Sequence, residues 1–354
     1  MIVQVGRTGV LTPVAVLKPV EVSGVTISHA TLHNFDEIKR LGLKIGDTVI
    51  VTRSGDVIPK VIQVLVELRT GKERAVCEPE RCPVDGALVA RDGVLLKCSN
   101  PSCGAKNRNG IIHFVSRSAF DIRGLGDKIV DRFLDEGLIA TAADIFTLQK
   151  GDVAALERFG EKSAQNLVEE IERKKKISAE KFIFALGIVH VGEETALALA
   201  ELAGKRVPAK HGQLPIEALG DFFKKISLEE LQNVPDIGPK VAQSIHEWFS
   251  DIHNQKLLHD FARTGVRVTA LNRHAAGIFA GMSLCLTGTL LSMSREQAKE
   301  KIIALGGHFQ SEVTLQTTAV VVGENPGSKY AKAQKLGIPI WDEEEFAKRL
   351  KLKG

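Results

Sequence analysis

A group of three cysteines and one aspartate has the residue types and the spacing to bind a metal ion. Its members form two pairs of potential ligands about a dozen residues apart, as in many zinc sites: Cys82, Asp85, Cys98 and Cys103. A carboxylate can replace a thiolate as a zinc ligand. Residues 77–103 show little apolar periodicity, so a metal would have to hold this segment together. We predict one Zn²⁺ per chain; a metal-free knuckle and a site with Cys77 as fourth ligand stay open as alternatives.

Four glycine-containing units recur in the predominantly helical region 109–271. In each unit an apolar residue and a glycine precede a helix rich in Ala, Ile and Leu; the glycines are Gly126, Gly160, Gly192 and Gly238. Free N–H groups at a helix start bind phosphate without reading base sequence, and glycine lets the phosphate approach closely. The alternative is that these are ordinary capping turns.

The four units differ in the charges beside the glycine. Glu161, Glu193 and Glu194 follow the second and third glycines and would repel phosphate, so we expect those two units to be structural. The first and fourth units then supply the candidate contacts to nucleic acid, which are Gly124, Gly126, Lys128, Gly238 and Lys240.

A second candidate phosphate site lies in the C-terminal region. Thr287 and Gly288 end a predicted strand, and Lys329 begins a predicted helix. A hydroxyl, a backbone N–H and a lysine that converge at helix starts would form a phosphate pocket, which Arg295 could join. Helix capping by Thr287 and Ser328 is the competing explanation.

The first 75 residues alternate short β-rich runs with Gly, Pro and Asp, a pattern typical of a small barrel. The predicted strands cover residues 2–5, 14–17, 20–27, 47–53 and 61–66, with one helix over residues 30–41.

One turn of this barrel combines an arginine with two apolar residues, as in proteins that press on a DNA minor groove. These residues are Arg53, Val57 and Ile58; alternatively, Val57 and Ile58 simply begin the next strand.

Composition narrows the class of protein. A formal net charge of +4 is compatible with a polyanionic partner, and the 5% of aromatic residues favours backbone contacts over base stacking. No apolar run is long enough to span a membrane, and five cysteines are too few for a disulfide framework. We therefore expect a soluble, cytoplasmic protein. No nucleophile–histidine spacing or P-loop indicates catalysis.

Several motifs together resemble the bacterial NAD-dependent DNA ligases. The motifs are Val5-Gly6-Arg7-Thr8-Gly9, Ala30-Thr31-Leu32-His33-Asn34, Ile45-Gly46-Asp47, Gly55-Asp56-Val57-Ile58-Pro59, Gly306-Gly307, Pro326-Gly327-Ser328-Lys329 and Trp341. The similarity extends from about residue 2 to residue 350 and implies a multidomain chain. Its predicted domains are an all-β oligonucleotide-binding (OB) barrel at 1–75, a small zinc finger at 76–108, an all-α helix-hairpin-helix (HhH) domain with four motifs at 109–271, and an α/β BRCT domain at 279–354.

The resemblance also implies roles for particular residues. It places Arg7, Thr8, Arg53, Val57 and Ile58 in the minor groove beside a nick, and it assigns Thr287, Gly288, Arg295 and Lys329 to a DNA 5′-phosphate. The family has cysteine where this sequence has Asp85.

In the family, an adenylation domain with a Lys-x-Asp-Gly nucleophile motif uses NAD and Mg²⁺, and a small nicotinamide-binding domain accompanies it. Neither Asp-Gly pair here, at Asp85 and at Asp92, has a lysine two residues earlier. We expect a monomer that binds nicked double-stranded DNA without sealing it alone, with adenylation supplied by a separate domain. The alternative is a non-catalytic DNA-repair scaffold that recruits partners through its BRCT domain.

Overall fold

The structure, a computed structural model, describes residues 1–22, 25–54, 58–157, 159–270 and 277–351. The chain divides into two compact units, Met1–Thr269 and Ala270–Gly354. Among the helices within those described ranges, none combines the length and the apolarity needed to cross a membrane.

The N-terminal part of the first unit is a five-stranded sheet with one helix. Its elements are β1 (Ile2–Val5), β2 (Leu11–Val22), β3 (Val25–Thr31), α1 (Phe35–Leu41), β4 (Lys44–Ile45), β5 (Val49–Ser54), β6 (Ile58–Val64), a 3₁₀ helix (Val66–Leu68) and β7 (Arg74–Ala75). The strand order is β1-β2-β3-β6-β5, while β4 pairs with β7. Leu11, Leu32, Phe35 and Val61 are buried in its core.

Two details of this region differ from the sequence prediction. The single strand predicted over residues 20–27 is wrong: Val20 pairs with Ile27 and Val22 with Val25, so the two ends of this segment belong to two antiparallel strands, β2 and β3. The helix predicted from residue 30 begins only at Phe35, because the Asn34 side chain caps it by accepting the Glu37 amide at 2.8 Å.

The cysteine-rich segment packs directly on the barrel. Strands β8 (Val89–Asp92) and β9 (Leu95–Cys98) form an antiparallel hairpin, and the Cys98 amide donates to the Gly9 carbonyl at 2.9 Å. Leu96 and the cysteine side chains share the core of the barrel. The segment therefore has an apolar anchor in addition to any metal.

The rest of the first unit is mostly helical. Its elements are α2 (Gly104–Val115), α3 (Asp127–Asp135), a 3₁₀ helix (Ala142–Thr147), α4 (Lys150–Ala154), α5 (Glu161–Lys174), β10 (Lys176–Ser178), α6 (Ala179–Ala185), α7 (Glu193–Arg206), β11 (Gln213–Leu214), α8 (Ile216–Lys225), α9 (Leu228–Gln232), α10 (Pro239–Ser250), α11 (Ile252–Arg263) and β12 (Arg267–Thr269). Phe114 stacks on Phe120 at 4.2 Å and on Phe261 at 5.1 Å between ring centroids, which joins the two ends of this region.

Three short strands were not expected in the helical region. They form a sheet in the order β10-β12-β11, in which β10 and β12 run parallel. Each has only two or three residues, too few to leave a period in the sequence. In addition, α2 runs across the domain boundary predicted between residues 108 and 109.

The second unit is a parallel sheet covered on both faces. Its elements are β13 (Ser283–Thr287), α12 (Arg295–Ala304), β14 (His308–Gln310), β15 (Ala319–Val322), α13 (Ser328–Lys335), β16 (Ile340–Asp342) and α14 (Glu343–Lys351), with the strand order β14-β13-β15-β16. Leu284 and Leu286 pack with α12 and α14, whereas Cys285 packs with Ala333 of α13. The strands at His308 and Ile340 were not predicted; each has three residues.

Candidate metal centre and nucleic-acid interface

The four predicted metal ligands converge in the structure. One potential ligand atom from each of Cys82, Asp85, Cys98 and Cys103 lies within 4.8 Å of the other three. The three cysteines are buried and Asp85 is exposed. Cys77 is exposed and does not belong to this group. The geometry therefore favours Asp85 over Cys77 as the fourth ligand.

The distances suit a tetrahedral ion. Zn–S bonds of about 2.3 Å and Zn–O bonds of about 2.0 Å require S···S edges of about 3.8 Å and S···O edges of about 3.5 Å. The Sγ atoms of Cys82 and Cys103 lie 4.0 Å apart, and the Cys98 Sγ lies 3.6 Å from both carboxylate oxygens of Asp85. The residues present fit a zinc ion.

Hydrogen bonds fix the carboxylate of Asp85. The Ala87 amide donates to Oδ1 at 3.1 Å, and the Asn100 side chain donates to Oδ2 at 2.9 Å. The Ala87 amide and then the Cys82 thiol hold the pKa of Asp85 well below its usual range. Burial raises the pKa of the Cys103 thiol to about 12, so a metal would have to displace its proton.

The segment that contains the four candidate metal ligands is hydrogen-bonded to the helical region through Lys106. Cys103 immediately precedes helix α2, and the Lys106 Nζ donates to the carbonyls of Cys98 and Asn100 at 2.9 and 2.8 Å. Neither Lys106 nor Asn100 could be predicted from the sequence, because the fold of the cysteine-rich segment sets their partners.

All four repeated glycines lie at the start of a helix. Gly126, Gly160, Gly192 and Gly238 are the N-cap residues of α3, α5, α7 and α10. Their φ angles lie between −82° and −90°, which any residue adopts, and an added Cβ would meet no atom within 4 Å. The fold itself therefore does not require glycine at these positions.

The residue two positions before each N-cap glycine has a left-handed backbone wherever the structure describes it. These residues are Gly124, His190 and Asp236, with φ of 89°, 67° and 63°. Only the first is glycine, although non-glycine residues rarely adopt this conformation. The shared backbone shows that these hairpins have the same local shape.

The first turns of the four helices differ in charge. Helix α10 has no acidic residue there, whereas α3 begins with Asp127, α5 with Glu161 and α7 with Glu193 and Glu194. Lys128 and Lys240 are both exposed. Of the four helix starts, that of α10 is therefore the most favourable for an anion as judged by the charge of its first turn.

The first hairpin is anchored to the second. The Arg123 amide donates to Glu170 of α5 at 3.5 Å, and the Lys174 Nζ contacts the Asp121 carboxylate at 2.8 Å. Glu170 is buried and also pairs with Arg173. These anchoring residues left no signal in the sequence because they are more than 40 positions from their partners.

The barrel residues predicted to contact DNA have different surroundings. Arg7 and Thr8 lie in the turn between β1 and β2, both half-buried, and the Arg7 guanidinium donates to the Gly187 carbonyl. Burial lowers the pKa of Arg7. Arg53 and Ile58 lie in the paired strands β5 and β6, while Val57 is outside the described residues.

In the second unit the predicted phosphate residues gather at the end of β13. The Thr287 Oγ1 accepts the Gly327 amide at 3.1 Å, which places the start of α13 beside this strand. Arg295 donates to the Leu286 carbonyl at 3.1 Å. Burial raises the pKa of Cys285, while the positive charges of Lys329 and Arg295 act in the opposite direction, as expected if both cations are near.

Gly288 has a packing role in the same place. Its φ is 80°, and an added Cβ would lie 2.6 Å from the Glu324 carbonyl oxygen. The close approach of residues 323 and 324 therefore requires glycine here.

Family models match four parts of the chain. The NAD-dependent DNA ligase OB-fold domain matches residues 1–73 and the BRCA1 C Terminus (BRCT) domain matches residues 274–350. A SAM-like helix-hairpin-helix tandem matches residues 117–173, and a helix-hairpin-helix motif matches residues 218–258. The hairpin at Gly192 lies outside both of these matches. The matched domains confirm the predicted fold class and define a multidomain chain of OB-fold, helix-hairpin-helix and BRCT domains.

Curated relatives cover the whole chain. The DNA ligase of Coxiella burnetii (strain CbuG_Q212) is 46% identical over 99% of this chain and 50% of the relative. That of Pelotomaculum thermopropionicum is 46% identical over 97% and 49%, and that of Myxococcus xanthus 42% identical over 98% and 50%.

The chain is similar to DNA ligases over almost its whole length, and its matched domains, which include the OB-fold domain of NAD-dependent DNA ligases, are consistent with the C-terminal portion of such a ligase. It spans about half the length of the curated relatives it matches. The solved structure of Rad4 BRCT1,2 in complex with a Crb2 phosphopeptide gives a TM-score of 0.19 at 18% identity, over 31% of this chain and 59% of that one, a likeness too slight to bear on the fold.

Proposed function

We propose that this chain is the DNA-gripping part of an NAD-dependent DNA ligase, which seals nicks between a 3′-hydroxyl and a 5′-phosphate in duplex DNA. The ligase would act in DNA replication and repair in the bacterial cytoplasm. The observation that carries the proposal is that the fold does not need glycine at the N-caps of the two hairpins expected to contact DNA, Gly126 and Gly238. At these positions the fold has space for a side chain, but the residue is glycine. The free space lets the sugar-phosphate backbone of DNA approach the N–H groups at the helix start.

The other sites have separate roles in this proposal. Arg7, Thr8, Arg53, Val57 and Ile58 would press on the minor groove, which is how apolar wedges flanked by arginine distort a duplex. Thr287, Gly288, Arg295 and Lys329 would bind a DNA 5′-phosphate. A zinc ion held by Cys82, Asp85, Cys98 and Cys103 would be structural, since all four positions are taken by protein ligands.

Sealing would depend on a domain outside these 354 residues. The family uses NAD and Mg²⁺ through its adenylation domain, and the present sequence contains no Lys-x-Asp-Gly motif. This chain would therefore bind nicked DNA but would not form a covalent AMP adduct by itself.

Fluorescence anisotropy with labelled duplexes tests the DNA-binding role. We expect tighter binding to a nicked than to an intact duplex of the same sequence. We also expect a steep loss of affinity with salt, because each phosphate contact contributes about 0.9 to the slope of log K against log salt. Equal binding to both duplexes, or a slope near zero, would contradict the proposal.

A second experiment tests whether DNA binding and adenylation belong to separate domains. Incubation of the chain with labelled NAD should leave no AMP on it, and addition of a separately expressed adenylation domain should produce sealing. A label on this chain alone would overturn the division. If the adenylation domain seals nicks equally well with and without this chain, the chain would instead be a non-catalytic scaffold.

A further inference from the structure

A pair of like charges lies side by side on the small sheet of the helical region. Lys176 of β10 and Arg267 of β12 are direct partners in the parallel register. In both strands the first residue is exposed, the second is buried and the third is half-buried. Lys176 and Arg267 therefore project from the same outward face, opposite the buried Ile177 and Val268.

This arrangement is unfavourable for the fold alone, because like charges directly opposite on neighbouring strands repel. The nearby carboxylates already have other partners: Glu170 pairs with Arg173 and Lys174, and Glu172 pairs with Lys175 at 2.7 Å. Glu180 accepts the Ser178 hydroxyl at 2.5 Å through one carboxylate oxygen, and its other oxygen is buried without a hydrogen-bond partner. Within the described ranges, no carboxylate forms an ion pair with Lys176 or Arg267.

We propose that Lys176 and Arg267 form an additional binding site for the sugar-phosphate backbone of duplex DNA, on strands β10 and β12. The inference rests on the proposed function and names a further surface for the same partner. Strands in a sheet lie about 4.8 Å apart, so two long cationic side chains on adjacent strands can reach one phosphate or two consecutive ones. The guanidinium of Arg267 adds a planar pair of donors that matches phosphate oxygens.

Charge complementarity with a bound phosphate also explains how two neighbouring cations can be accommodated. An anion between the two cations removes their mutual repulsion, whereas the free protein keeps it. Because phosphate contacts carry no base information, this surface should add affinity without preference for a nick.

The test uses the full chain and two variants measured on nicked and intact duplexes. K176Q/R267Q should bind both duplexes about tenfold more weakly at 0.1 M salt and should reduce the salt slope by about 1 to 2. The matched control K224Q/K225Q removes two exposed lysines at the end of α8 and should leave affinity and slope close to those of the wild type.

A charge-swap variant separates binding from folding. R267E places opposite charges at the register pair, so its thermal midpoint should equal or exceed that of the wild type while its DNA affinity falls further than that of K176Q/R267Q. A lower midpoint for R267E would point to a structural role and overturn the inference.

The two proposals fail differently. If the wild type binds nicked DNA and K176Q/R267Q binds with the same affinity and slope, the inference is wrong and the proposed function stands. If K224Q/K225Q weakens binding as much, the effect is one of overall charge, and this site is again wrong. If the wild type does not bind nicked DNA, the proposed function itself is wrong and the inference falls with it.

Discussion

The side-chain amide of Asn100 donates to the Oδ2 oxygen of Asp85 at 2.9 Å, which orients a carboxylate that faces three cysteine thiols. Residues that orient a ligand typically change metal affinity by about 10- to 100-fold when they are removed. We therefore expect N100A to retain zinc but to lose it to a chelator at least about tenfold faster than the wild type. Elemental analysis and a colorimetric release assay measure both quantities.

Three variants complete this experiment. S99A alters an exposed neighbour whose amide bonds the Leu88 carbonyl, and it should match the wild type. D85C should slow zinc release, and D85A should speed it most. Purified wild-type protein that contains no zinc would contradict the metal assignment.

The N-cap glycines allow a matched comparison between hairpins. We expect G238A to weaken binding to nicked DNA about tenfold, because loss of a charge-assisted contact costs about 1.5 kcal/mol or more. G192A makes the same change where two glutamates follow, and it should leave affinity nearly unchanged. Both variants should lose a similar amount of stability, at most about 1 kcal/mol from the poorer cap. Equal weakening by both would mean that the hairpin at Gly192 also contacts DNA.

The phosphate pocket of the second unit can be tested with DNA ends. Lys329 of α13 is half-buried and lies near the end of β13, where Thr287 is located. Lys332 of the same helix is exposed. K329Q should reduce the preference for a duplex with a terminal 5′-phosphate over one with a 5′-hydroxyl by about tenfold. K332Q should keep that preference. A wild-type chain that does not distinguish the two ends would rule the pocket out as a 5′-phosphate site.

An ion pair in the barrel predicts how stability depends on pH. Arg69 donates to both carboxylate oxygens of Asp47, at 2.7 and 2.8 Å, and the Asp47 side chain is only 1% exposed. The Arg69 contact, followed by the Lys44 amide, lowers the pKa of Asp47. The pair therefore stabilises the fold above the unfolded pKa of about 3.9, and this stabilisation is lost as the pH falls through the folded pKa.

Urea unfolding of wild type and D47N measures this effect. At pH 7 we expect D47N to be less stable than the wild type, since replacing one carboxylate oxygen by an amide nitrogen removes an acceptor for Arg69. The difference should shrink as the pH falls below about 4. A difference that stays constant down to pH 2 would contradict the assignment to Asp47.

Local patterns in the sequence were sufficient for much of the fold. The metal ligands share a short segment, so their spacing alone predicted the group that the structure brings together. The helix starts at Gly126 and Gly238 follow from one glycine and the apolar residues beside it. The predicted strand that ends at Thr287 and Gly288 agrees with β13, whose last four residues are buried.

Contacts between distant residues had to await tertiary structure. Lys176 and Arg267 lie 91 positions apart (267 − 176), and only the parallel register of β10 and β12 makes them neighbours. Arg7 likewise reaches Gly187 across the first unit. Amino-acid type and spacing determined the kinds of elements and the candidate metal ligands, because these depend on interactions a few residues long. The packing of the elements decided which exposed charged residues are neighbours and at which positions the fold does not require glycine. Both depend on the relative position of segments that are distant in the sequence.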